Sequence, residues 1–86
     1  MTPRITSFNG VHVCVYSREH MPPHIHVLYG DDEAIIRISD SSLLQGSLEK
    51  SKLRLVRKWM KNPNIKIELE IYFFALNPQL KRSKYL

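Results

Sequence analysis

Apolar and polar residues alternate along the N-terminal half of the chain, the pattern of strands with one face turned inward. RITSF and VHVCVY flank Asn9-Gly10, the dipeptide best suited to the positive φ angles of a two-residue hairpin turn, so two paired strands are predicted there. In the second, Val11, Val13 and Val15 share one face and His12, Cys14 and Tyr16 the other. Two prolines in SREHMPP deny that segment both helix and ladder donors, and a third strand is expected from His24 to Tyr29. GDD then makes a turn, with Gly30 able to take a left-handed conformation, and EAIIRIS supplies the fourth strand. With a two-residue loop between them, Ile25, Val27 and Tyr29 share a face with Ala34, Ile36 and Ile38. His24, His26, Glu33 and Arg37 fall on the opposite face, joined by His12 and Cys14 if the second and third strands pair.

The period changes after SDSSLLQG, itself a short strand or a turn. Ser47 is placed to cap a helix over 47–61. Leu48, Leu55, Val56, Trp59 and Met60 recur on its inner side, and Lys50, Arg54, Arg57, Lys58 and Lys61 form a basic outer stripe. Residues 64–76 are ambiguous. Asn62-Pro63 can end one helix and begin another, whereas IKIELEIYF alternates as a strand would, and pattern alone favours the strand. Residues 78–86 read as a basic tail laid over the surface. The whole describes one α+β domain over 1–86: a four-stranded, mostly antiparallel sheet, one face covered by one or two C-terminal helices and the other left open.

Composition narrows the partners. The 86 residues carry a formal charge of +5, a surplus that favours phosphates or acidic proteins. A single cysteine, Cys14, cannot close an internal disulfide, MTPRITSFNG lacks an apolar core, and the longest apolar run, IYFFAL, is too short to span a bilayer. A cytoplasmic protein without membrane contact is expected.

The chemistry concentrates in HMPPHIHV, which holds three of the four histidines. His24 and His26 leave one face of a strand with Cα atoms about 6.5–7 Å apart. Zinc is one candidate ligand, held by His20, His24 and His26, or with a carboxylate such as Glu19 or Glu33 as third ligand in place of His20. A metal-free alternative makes His24 and His26 general acid and base on a phosphodiester, with Arg37 offsetting the developing charge, as in a small ribonuclease; a guanidinium there disfavours a cation. Lys50, Arg54, Arg57, Lys58 and Lys61 would then track the nucleic-acid backbone. Each feature also has a plainer reading: histidines hydrogen-bonded on a half-buried face, and a solvated helix surface.

EHMPPHIHV leading into YGDDEAIIRI, followed by LEKSKLRLVRKWMK, resembles the small bacterial proteins catalogued as domain of unknown function 4160. The resemblance implies a second helix over 63–77 in place of the strand suggested by alternation. It marks His20, Pro22, Pro23, His24 and His26 as motif positions, with Tyr29 and Gly30 at the following turn. It also implies membership of a two-gene cassette of toxin-antitoxin type with a small protein partner encoded nearby, and no established activity. Together these readings lead to a toxin-like protein acting on RNA and requiring no cofactor. The alternatives are a non-catalytic protein-binding module, including an antitoxin or partner subunit, and a small zinc-binding protein. Homodimerisation through an unpaired sheet edge is a further expectation.

Overall fold

Asn9 and Gly10 take φ angles of 52° and 80°, and Phe8 stands opposite Val11, so the predicted two-residue turn opens the fold. The computed structural model describes residues 4–80. Strands β1 (Arg4–Phe8), β2 (Val11–Cys14), β3 (His24–Tyr29), β4 (Asp32–Arg37) and β5 (Leu43–Gly46) lie side by side in chain order. Every neighbouring pair is antiparallel. Helices α1 (Lys50–Met60) and α2 (Pro63–Leu76) follow, giving the expected α+β class. Ile25 faces Ile36 and Val27 faces Ala34, the register that hydrophobic parity required.

The sheet has five strands, not four. Leu43–Gly46 adds to β4, with Ala34 opposite Gly46 and Ile36 opposite Leu43. Gly46 makes this possible: its φ is +78°, and a Cβ there would collide with the Glu33 carbonyl oxygen. The next amide, Ser47 N–H, donates to the same carbonyl at 3.1 Å. Ser47 therefore finishes the sheet instead of capping α1, which begins later than expected with Glu49 at the cap position and no side-chain cap bond.

Val56 and Met60 of α1 and Leu69 and Phe73 of α2 are fully buried against Val11, Val13, Ile25, Val27 and Ile36. Each such side chain contributes about 1.5–3 kcal/mol of transfer free energy. Leu48 and Trp59 also pack as predicted, but Leu53 takes the place expected for Leu55 against the core. The second helix that the resemblance implied over 63–77 is present as α2, and the strand that alternation alone favoured for 64–76 is not. Asn62 accepts a hydrogen bond from the Asn64 amide at 2.9 Å and Pro63 occupies the first turn, so a helix starts here with its orphan donors partly met. Ile65, Leu69 and Phe73 recur every four residues on the core side, while Ile67, Ile71 and Tyr72 stay about half exposed. Apolar residues on several sides of one helix had imitated alternation. No described helix is long and apolar enough to cross a membrane. Of the predicted tail, Leu80 folds back, its amide donating to the Asn77 carbonyl at 3.0 Å; 81–86 lie outside the described residues.

Candidate functional site

Two residues apart on β3, His24 and His26 project from the sheet face opposite the valine core, with Arg37 across from His24 and Cys14 across from His26. That face was expected to be open. At the histidines it is closed, and the two are only 3% and 8% exposed. Tyr16 packs edge-on against His26 with centroids 4.2 Å apart, Phe73 of α2 lies 5.4 Å from the His24 ring, and Glu19 reaches in from the segment joining β2 to β3. Two buried imidazoles are tolerable only where their nitrogens find partners.

All four nitrogens have them. His24 Nδ1–H donates to the Pro22 carbonyl at 2.7 Å. A carbonyl only accepts, so this bond fixes the proton on Nδ1 and directs Nε2 towards Glu19, whose Oε2 is 3.3 Å away. His26 is hydrogen-bonded to a carboxylate at each ring nitrogen, Nδ1 with Glu33 Oε2 at 2.9 Å and Nε2 with Glu19 Oε1 at 2.8 Å. The two ring centroids are 5.3 Å apart. Glu19 thus spans both Nε2 atoms with its two oxygens. One ligand atom from each of Glu19, His24 and His26 lies within 4.8 Å of the others, so this group could hold a metal ion.

His20, the third histidine of the motif, is exposed, its ring centroid 6.0 Å from that of His24. The carboxylate next to it occupies the position the third imidazole was expected to fill. Arg37 turns towards Asp40, with Nη1 3.6 Å from Oδ2, and its Nε is buried without a hydrogen-bond partner. Ser42 beside Asp40, whose amide donates to Oδ1 at 3.0 Å, with a smaller contribution from Arg37, holds the Asp40 carboxyl below its ordinary value.

Asn77, just past α2, is the contributor that sequence reasoning missed. Fully buried, it accepts the Glu19 amide on Oδ1 at 2.7 Å and donates through Nδ2 to the carbonyls of Tyr16 and Phe73 at 3.0 and 2.8 Å. Gln79 adds a bond from Nε2 to the Glu19 carbonyl at 3.2 Å. An Asn before Pro at a helix end signals a C-cap in sequence; its partners some sixty positions earlier carry no such signal.

A second feature lies elsewhere. Lys50, Arg54, Arg57, Lys58 and Lys61 line one open groove along α1 together with Leu53. All five come from the predicted stripe. Because α1 buries Val56 and Met60 against the valine face, the sheet stands between this groove and the histidines.

Residues 10–70 match the family described as Domain of unknown function (DUF4160). The chain belongs to this family. The match runs from the first hairpin turn into α2 and includes the histidine motif, the Gly30 turn and all of α1, so the family segment contains both features. Asn77 lies beyond it. No curated protein and no solved structure matches the chain significantly.

Proposed function

We propose that the chain is an RNA-binding, toxin-like member of a bacterial two-gene cassette, with α1 as the surface on which RNA lies. The observation that carries this reading is the convergence of five cationic side chains on one open groove. A helix with that spacing presents charge along a line, which suits a phosphate backbone better than a compact ligand. The binding half of this reading has more support than the cleaving half. His24 and His26 as acid and base, with Arg37 on phosphate, would require the segment carrying Glu19 to lift before a phosphodiester could reach either ring. A cytoplasmic location and a small protein partner belong to the same proposal.

The test is affinity for a labelled single-stranded RNA across a salt series. If all five cations engage phosphate, log K falls against log salt with a slope of about −3.5. The triple variant Arg54→Glu, Lys58→Glu, Lys61→Glu loses more than tenfold in affinity at low salt, while His24→Ala with His26→Ala leaves the slope unchanged. Wild-type binding no tighter than that of the triple variant removes α1 from the proposal. RNA left intact across pH and metal conditions removes the ribonuclease step.

A second reading, a small zinc-binding protein, is favoured by one observation, the convergence of both Nε2 atoms on Glu19. It is compatible with the first, since the two features do not share a surface.

A further inference from the structure

Resting on the zinc reading, the geometry points to a metal centre built in two shells: Glu19, His24 and His26 as ligands, with Glu33 and the Pro22 carbonyl holding the two rings in their metal-binding tautomer. We propose zinc or a similar first-row divalent cation as the ligand.

The argument starts from protons. His24 Nδ1 must donate to the Pro22 carbonyl, so the lone pair of the neutral ring sits on Nε2, facing Glu19. His26 stands between two carboxylates, Nδ1 2.9 Å from Glu33 and Nε2 2.8 Å from Glu19, so with Nδ1–H donating to Glu33 the second lone pair, on Nε2, also faces Glu19. Each Nε2 that presents its lone pair to a Glu19 oxygen needs a positive charge between the two. A proton can fill that role at one ring; a divalent cation fills it at both. The outer bonds, one to a carboxylate and one to a backbone carbonyl, are the two commonest supports of metal-binding histidine.

Distances agree with this assignment. Tetrahedral zinc with nitrogen and oxygen ligands at about 2.0–2.2 Å separates neighbouring ligand atoms by about 3.4 Å. His24 Nε2 is 3.3 Å from Glu19 Oε2 and His26 Nε2 2.8 Å from the other oxygen, Oε1. One ligand atom from each residue lies within 4.8 Å of the others, so a single Glu19 oxygen serving both rings requires the carboxylate to turn. Glu19 is the ligand with room to do this, because its side chain is 19% exposed and comes from a connecting segment, whereas both histidines are fixed on β3. Three protein ligands leave a fourth position for water or a small ligand, the arrangement of catalytic zinc sites more than of closed structural ones. His20 has no part in this set, and Arg37 is drawn aside by Asp40.

The experiment strips the full chain with a chelator, then titrates zinc against a chromogenic competitor and records the visible spectrum with cobalt. The wild type takes up one equivalent. His24→Ala and His26→Ala each weaken binding more than a hundredfold, with His26→Gln as the volume-conserving control should the alanine variant fail to melt cooperatively. His20→Ala stays within twofold of wild type, and Glu33→Gln keeps the stoichiometry but weakens affinity by about 10-fold or more and shifts the cobalt bands. No uptake by the wild type, or full uptake by both histidine variants, overturns the zinc reading itself. Uptake lost in the histidine variants but unchanged in affinity and spectrum for Glu33→Gln leaves the zinc reading standing and overturns the two-shell inference.

Discussion

The histidine cluster and the α1 groove are both rich in ionisable side chains, yet they are built on opposite terms. In the cluster, His24 and His26 are almost wholly buried and each ring nitrogen meets a carbonyl or carboxylate. In the groove, Lys50, Arg54, Lys58 and Lys61 are exposed, and Arg57 alone is tied down, its Nε donating to the Ser41 carbonyl at 3.0 Å. Charge in the groove is screened by salt and replaceable at little cost; charge in the cluster is part of the fold. The contrast teaches that ionisable side chains walled in against a sheet and those on a solvated helix face answer to different demands, although one of the sequence readings had joined both on a single phosphodiester.

Stability separates the two regions most sharply through Asn77. Asn77→Ala leaves the Glu19 amide and the Tyr16 and Phe73 carbonyls without the bonds they now make, and the expected cost is about 3 kcal/mol. Lys58→Ala on the groove is expected to change stability by less than about 0.5 kcal/mol. Denaturant midpoints measure both. Equal, small changes would mean that the Glu19 segment is not held by α2 and that the cluster is as loosely built as the groove.

Next in size is His26→Ala. The variant removes the ring whose two nitrogens meet Glu19 and Glu33 and against which Tyr16 packs. Glu33 is nearly half exposed and Glu19 about one-fifth, so water takes over part of what each carboxylate loses, and about 2 kcal/mol is expected, not the larger penalty of a fully buried pair. A thermal melt checks it. A loss as small as that of Lys58→Ala would break the comparison, because the carboxylate partners of His26 would then contribute no more than solvent does.

What the sequence disclosed follows the same division. Period-two and helical spacing placed β1 to β4, the face carrying His24 and His26, and the basic stripe, because each depends on neighbours within a few residues. The choice of Glu19 over His20 as third member depended on how the chain runs from β2 to β3, and that path is fixed by Asn77, about sixty positions away. The fifth strand hid behind Gly46, whose value as the one residue able to approach the Glu33 carbonyl appears only once β4 and β5 are paired. In 64–76, isoleucines on the exposed side of α2 gave strand-like alternation, and the Asn62-Pro63 start proved the better guide.

The smallest expected effect lies in the turn from β4 to β5, which touches both Arg37 beside His24 and Arg57 of the groove. Ser42 donates its amide to Asp40 Oδ1 at 3.0 Å, and Arg37 approaches Oδ2, while α1 reaches the same turn through Arg57. The Asp40 carboxyl is lowered from its ordinary 3.8, chiefly by the bonds with Ser42. A carboxyl whose pKa is lower in the folded than in the unfolded chain contributes stability that is fully present above the ordinary value and disappears as pH falls through the lowered one. Asp40→Asn should therefore melt slightly below wild type at neutral pH, and the gap should begin to narrow as pH falls below 3.8 and close below the lowered value. A gap that persists in acid would make the loss one of geometry in the turn, not of charge. If RNA affinity fell together with that gap, the turn would be shown to set Arg57 within the groove, and the two regions would be linked through the one cation of the stripe that the fold itself holds.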